Sequence, residues 1–225
     1  MRWSDLDQLN HVNNVVYVDY AEQARAALVE DGEVVAGPLS RVDVEFRRPL
    51  LLSRTPVLVR TEVDGGTTTH AIGPDGADQA FATVRLEAGA LAPEPMAGAA
   101  TKDGLSLRRS DLGADGTVTP TRLFELTQEA RILSFATIVP DRTARFVVAR
   151  VDLRLGEPVG WRTEPLLAET GVTHVGRSSF VTTTWFDGGR AGSATAVLVG
   201  FDLETQSSQP LDDAMREALT AAQRG

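Results

Sequence analysis

Two stretches of this chain repeat at constant register, and that restricts the fold to a duplicated unit. Without gaps, LRRSDLGADGTVTPTRLFELTQEAR falls on the N-terminal segment at an offset of 106 residues: Ser4 on Ser110, Asp5 on Asp111, Leu6 on Leu112, Val12 on Val118, Ala24 on Ala130 and Arg25 on Arg131. A second block matches at an offset of 109, where Arg41, Val42, Asp43, Pro49, Pro56, Thr61 and Val63 meet identical residues. Proline is rare inside strands, so paired prolines at fixed spacing are not a by-product of shared strand composition.

Each copy reads as one helix followed by about four strands. Residues 14–30, NVVYVDYAEQARAALVE, place Val15, Tyr17, Val18, Ala21, Ala24, Ala27 and Leu28 at three- and four-residue spacings, which predicts a helix with one broad apolar face. Asn13 or Asn14 is its expected N-cap and the Asp-Gly at 31–32 its end. RVDVEFRRPLLL, TPVLVRTEVDGG and QAFATVRLEAG then alternate as antiparallel strands do. The Ala/Gly/Pro-rich segment 89–104 has no periodicity and reads as a linker. The expected organisation is therefore a first unit at 1–88, a linker at 89–104 and a second unit at 105–225 closed by an amphipathic C-terminal helix. The fold class is α+β, two tandem copies of an antiparallel sheet wrapped around a helix, with sheet edges able to pair and hence scope for a homo-oligomer.

Composition removes several function classes. With no cysteine, disulfides, thiolate metal sites and a cysteine nucleophile are excluded, and three histidines far apart in sequence make a poor zinc site. A formal charge of −9 opposes sequence-independent nucleic-acid binding, which needs a basic face. No segment approaches the roughly 20 apolar residues of a membrane span, and MRWSDLD is no leader, so the expectation is a cytoplasmic protein with no nucleic-acid or membrane partner and no cofactor. Local basic spots remain at Arg47-Arg48 and Arg108-Arg109.

The densest polar cluster, SDLDQLNHVNN at residues 4–14, sits where the first helix starts. As plain structure it is a helix N-terminus with carboxylates favoured by the dipole. Together with the helix after it, it resembles the hotdog-fold thioesterases of the 4-hydroxybenzoyl-CoA thioesterase type, through Asp5 and Asp7, Asn10-His11, Val12-Asn13-Asn14, Tyr17, Glu22 and Ala24-Arg25. The strand pair VGRSSFVTTTWF and AGSATAVLVGFDLETQSSQPL is similar to the last two strands of that family, which lead into a C-terminal helix. The resemblance implies a double hotdog with active sites at the seam between units. It also implies an acyl-CoA thioesterase that releases free acid and CoA. Met1 begins where family members usually carry more strand residues, so a short first strand is expected. Plant-type acyl-ACP thioesterases share an Arg-Trp-Ser-Asp-Leu-Asp stretch, but they have an Asn where this chain has Leu9. Hotdog hydratases want a proline between the aspartate and the histidine, and none lies between Asp5 and His11.

On this resemblance Asp7 is the catalytic carboxylate, as nucleophile or as base on a water, and the backbone N–H of Asn14 is the oxyanion donor. A thiolate whose parent thiol has a pKa near ~8.5 leaves without a strong general acid, so oxyanion stabilisation is the main demand. His11 orients the turn, touches substrate, or packs as an ordinary histidine; Tyr17 completes the substrate-facing set. The second copy has Gly113 for Asp7, Thr117 for His11 and Thr119-Pro120 for Asn13-Asn14, so it lacks both carboxylate and amide donor, with Asp115 displaced by two residues. It keeps Gly176-Arg177-Ser178-Ser179-Phe180 where the first copy has Gly66-Thr67-Thr68-Thr69-His70. The expected site is composite: Asp7 and Asn14 from the first copy, Ser178 or Ser179 from the second, and Arg177 or Arg47-Arg48 on a CoA phosphate. A non-catalytic acyl-binding protein and an acyl-ACP thioesterase are the alternatives.

Overall fold

The computed structural model describes residues 2–7, 10–90, 96, 98–139, 146–202, 205 and 207–224. The chain divides into two compact units, Met1–Leu91 and Ala92–Gly225.

The first unit opens with a 3-10 turn, Trp3–Asp5, and helix α1, Asn14–Glu30, followed by strands β1 (Leu39–Phe46), β2 (Val57–Asp64), β3 (Thr67–Pro74) and β4 (Ala82–Ala88). All neighbours are antiparallel, in the order β2-β3-β4-β1. The N-cap of α1 is Asn13, whose side-chain oxygen accepts the N–H of Val15 at 3.1 Å. Helix α1 packs on β2, β3 and β4. It buries Val15, Tyr17, Val18 and Ala21 against the alternating inward residues Thr68, His70 and Ile72 of β3 and Ala82, Val84 and Leu86 of β4. The buried face is narrower than the helical periodicity predicts, because Ala24 is only half-buried and Ala27 is exposed. The reason lies across from them: no residue of β2 is fully buried, and β2 ends the sheet.

One buried polar group in this sheet sets a pH dependence. The His70 ring is held between two hydroxyls, Thr61 Oγ1 at 2.8 Å from Nδ1 and Thr68 Oγ1 at 2.9 Å from Nε2, and burial, with the Arg25 charge behind it, lowers its pKa from 6.5 to about 4. The folded state thus resists a proton that the unfolded chain accepts below 6.5. Stability is expected to be full above that value and to fall by up to about 3 kcal/mol as pH drops towards 4. Urea unfolding of wild type and His70→Gln at neutral and acid pH checks this, since the substitution should flatten the loss.

The second unit begins with β5 (Thr101–Leu105), all but the last residue of which falls in the stretch 89–104 expected to be linker. Its amides are taken up by antiparallel pairing with β7, a tertiary requirement that a run of Thr, Lys, Asp and Gly does not announce. A 3-10 turn (Arg109–Asp111), α2 (Pro120–Ile138), β6 (Phe146–Leu155), β7 (Leu166–Val175), β8 (Ser179–Phe186), β9 (Gly192–Asp202), the two-residue β10 (Ser207–Ser208) and α3 (Asp213–Arg224) follow. The antiparallel order is β6-β9-β8-β7-β5, with β10 on β9. Helix α2 packs on β5, β7 and β8, and a cluster of Phe135, Phe146 and Phe180, with ring centroids 4.9–5.6 Å apart, fills one end of the core. Helix α3 lies on β7 and buries Met215 and Leu219.

Backbone hydrogen bonds recur at both sequence offsets. Asp7 N–H donates to His11 C=O at 2.8 Å, and Gly113 N–H to Thr117 C=O at 2.8 Å; Asn13 N–H donates to Asp5 C=O, and Thr119 N–H to Asp111 C=O. Val12 N–H donates to Leu50 C=O, and Val118 N–H to Val159 C=O, so residues at offset 106 bond to residues at offset 109. The bridges Leu6–Val12 and His11–Leu51 are matched by Leu112–Val118 and Thr117–Gly160.

Candidate active site

The turn before α1 is built around Asp7. Its C=O accepts the N–H of Asn10 at 3.2 Å, and Asn10 takes a left-handed conformation, φ +58°, that asparagine tolerates better than most residues. The chain then doubles back so that the N–H of His11 donates to Asp7 Oδ1 at 3.0 Å. This bond holds the exposed carboxylate at the turn by its own backbone geometry. Asp5 plays a different part: its Oδ2 accepts the N–H of Arg2 and the hydroxyl of Tyr20, the latter at 3.1 Å. Asp111, at the offset of 106, likewise accepts the N–H of Arg108.

Tyr17 ties the turn to the sheet. It is buried at 2% exposure, and its hydroxyl oxygen accepts the N–H of Leu50 at 3.2 Å, while Leu50 C=O accepts Val12 N–H at 2.8 Å. Burial pushes the phenol up to about 12, with the Asp7 charge adding to the rise and the Leu50 N–H opposing it. Tyr17 is thus a neutral hydroxyl at physiological pH, a positioning group rather than a base. Tyr17→Phe leaves a buried N–H without an acceptor and is expected to cost about 1–3 kcal/mol of stability, measured by chemical denaturation. Asn14 is the first residue of α1, so its N–H is one of the four that the helix cannot satisfy, and no acceptor for it is present among the described residues.

Asp7, His11, Asn14 and Tyr17 therefore share one local assembly: turn, helix N-terminus and the Leu50 segment. Arg47 and Arg48 lie just upstream of Leu50, at the end of β1, where both N–H groups donate to Phe81 C=O. The Arg47 guanidinium is exposed and 3.4 Å from Glu45, and that of Arg48 lies over the Phe81 ring at 5.9 Å. Arg177, Ser178 and Ser179 belong to the second unit. Their carbonyls accept the N–H groups of Leu211, Gly200 and Gly176 at 3.0, 2.8 and 2.7 Å, and the Arg177 side chain is exposed. Of the tryptophans, Trp185 is core, Trp3 is 82% exposed, and Trp161 stacks under the Arg109 guanidinium at 3.8 Å. Sequence reasoning missed the Tyr20–Asp5 and Tyr17–Leu50 hydrogen bonds; the only signal was two tyrosines near one turn of helix apart.

The equivalent turn in the second unit is closed to the same chemistry. A Cβ on Gly113 would stand 3.2 Å from the Thr119 methyl and 3.3 Å from Asp115 Oδ1, tighter than ordinary contacts. Asp115 itself is occupied: the N–H and hydroxyl of Thr117 donate to it at 3.0 and 2.8 Å and hold its carboxyl below the usual value. Among the described residues no group of three or more His, Asp or Glu is placed to hold a metal ion, and no helix is long and apolar enough to cross a membrane.

Residues 1–79, which span the turn, α1 and β1–β3, match the family described as acyl-ACP thioesterase C-terminal domain. A thioesterase from Thermus thermophilus, solved in complex with coenzyme A and Zn, is 26% identical over 58% of this chain and 98% of its own, with a TM-score of 0.51. The 12:0-ACP thioesterase from Umbellularia californica superposes over 93% of this chain and 91% of its own at a TM-score of 0.65 and 10% identity. The fold is the hotdog fold of thioesterases. An acyl-ACP thioesterase from Bacteroides thetaiotaomicron shares it over 87% of this chain and 93% of its own, at a TM-score of 0.63 and 10% identity. No curated protein sequence matches the chain.

Proposed function

We propose that this protein is a thioesterase that hydrolyses acyl-CoA to free acid and CoA, with Asp7 as its catalytic carboxylate. The observation that carries this reading is the Asp7 carboxylate held by the His11 N–H on the turn that delivers the chain into the open N-terminus of α1. A carbonyl carbon beside Asp7 and a carbonyl oxygen on the Asn14 N–H would meet a base or nucleophile and an oxyanion donor at once. Either water attacks the carbonyl carbon while Asp7 takes its proton, or Asp7 attacks to give a mixed anhydride that a water then hydrolyses; in both cases the C–S bond breaks and the thiolate leaves and takes up a proton. His11 contributes its backbone N–H to the turn. Arg47 and Arg48 are suited to the phosphates of CoA, because guanidinium forks match phosphate oxygens and the rest of the chain is acidic.

In this reading the chain is an internal duplication, a double hotdog whose second copy has lost its own carboxylate and amide donor and lends Ser178 or Ser179, with Arg177, to the site of the first. Support comes from the recurrent hydrogen bonds at both offsets and from the crowded turn at Gly113, which carries no carboxylate. Ser178→Ala and Ser179→Ala, alone and together, are expected to lower kcat/KM without changing the melting temperature; unchanged kinetics would reject the composite site. A second reading, acyl-ACP as the substrate, is favoured by the family match at residues 1–79. Comparing kcat/KM for one acyl group on CoA and on a carrier protein separates the two, and Arg47→Ala with Arg48→Ala should raise KM for the CoA ester.

A further inference from the structure

Tyr20 has no counterpart in the second unit. At the offset of 106 its place is taken by Leu126, and that of Tyr17 by Leu123, both of them buried. The turn that precedes the helix is nonetheless bonded alike in the two units. Asp111 accepts Arg108 N–H as Asp5 accepts Arg2 N–H, and Thr119 N–H donates to Asp111 C=O at 3.1 Å as Asn13 N–H donates to Asp5 C=O at 2.8 Å. The turn therefore closes without a hydroxyl on this face of the helix. The tyrosine stands in the copy that has Asp7 and an N–H at the first helical residue, and is absent from the copy that has Gly113 and Pro120 there.

The Tyr20 hydroxyl donates to Asp5 Oδ2 at 3.1 Å from the second turn of α1. Burial, with the Asp5 charge beside it, pushes the phenol far above its ordinary value, so the proton stays on Tyr20. The bond is a donation to an ionised carboxylate, which is stronger than one between neutral groups. Asp5 is thereby held twice, its side chain by Tyr20 and its C=O by Asn13 N–H. Asn13 in turn accepts Val16 N–H on its C=O at 2.9 Å and Val15 N–H on its side chain at 3.1 Å. These bonds close a ring that leaves α1 at Tyr20 and returns to it at Asn13. The Asn13 C=O and the Asn14 N–H belong to one planar peptide group, so fixing the carbonyl fixes the direction of the N–H. We propose that Tyr20 is a positioning residue for the oxyanion donor, holding Asp5 and through it Asn13 so that the Asn14 N–H keeps a set direction. This rests on the thioesterase reading of the site. A donor stabilises a developing oxyanion most when it is aimed before the reaction begins. The second unit has no N–H to aim at Pro120, and it carries leucine where Tyr20 would stand.

Tyr20→Phe tests the proposal, with Tyr20→Leu as a second variant because the fold already accepts leucine at the matching position. Amide hydrogen exchange reads the geometry without any substrate. Exchange at Asn13 is expected to accelerate on the order of tenfold in both variants, with the amides of mid-α1 and of Thr119 unchanged. In steady-state kinetics kcat should fall about tenfold at constant KM. Introduced into Asn14→Pro, the same substitution should cost nothing more, since no amide is left to aim. A hydroxyl that only supported the fold would lower both backgrounds by the same factor. Unaltered exchange at Asn13, or equal losses in the two backgrounds, overturns the proposal. Wild type without thiol release, or Asp7→Asn at full rate, removes the thioesterase reading instead, and the hold of Tyr20 on the peptide group then stands or falls by the Asn13 exchange.

Discussion

Asp7→Asn is expected to lower kcat for thioester hydrolysis on the order of a thousandfold while leaving the melting temperature unchanged. The amide is isosteric and can still accept the His11 N–H through its oxygen, so the turn that begins at Asp7 persists. What disappears is the negative charge that attacks the carbonyl carbon or takes a proton from water. Asp7 is exposed, and the bonds that its own N–H and C=O make to His11 and Asn10 do not depend on the charge. A fall in stability of several kcal/mol with activity lost in proportion would instead assign Asp7 a structural part.

Asn14→Pro is the second large effect, and the second unit shows that the fold admits it. Pro120 occupies the same position at the start of α2, where Thr119 caps the helix by accepting Arg122 N–H at 3.2 Å. Proline fits the first helical residue because the N–H it lacks has no partner within the helix. The Asn13 cap on Val15 N–H would remain. With the fold retained and one oxyanion donor gone, kcat should drop about 100- to 1000-fold with little change in KM. Steady-state kinetics beside a thermal melt measures both. A variant that folds and turns over normally would remove the Asn14 amide from the mechanism.

The parts of this molecule that were legible in the sequence are those fixed by local chemistry. Helix α1, a cap at Asn13 or Asn14 and its end before Gly32 followed from periodicity and capping residues, and β1, β2 and β4 from alternation; the folded chain selects Asn13. Strand β3 was harder to read, because its inward residues Thr68 and His70 are polar and become acceptable in the core only through the Thr61–His70–Thr68 hydrogen bonds. Strand β5 was hidden for a similar reason, since Lys102 and Gly104 face outward and its stability comes from pairing with β7. In the site, the cluster at 4–14 pointed to the turn, but periodicity holds no information on hydrogen bonds between distant segments. The bond between Tyr17 and Leu50, 33 residues apart, emerges only from the folded chain. The width of the apolar face of α1 was overestimated because helical spacing reports which residues could be buried, and the neighbouring strand decides which are.

The most direct measurement is free-thiol release from acyl-CoA and acyl-carrier thioesters of graded chain length by wild type, Asp7→Asn and Asp115→Asn in parallel. Expected is release by wild type and Asp115→Asn at equal rates, with Asp7→Asn near background. Equal release by Asp7→Asn, loss that follows Asp115 instead, or no release from any ester by the wild type would contradict a carboxylate-driven thioesterase built on the first unit.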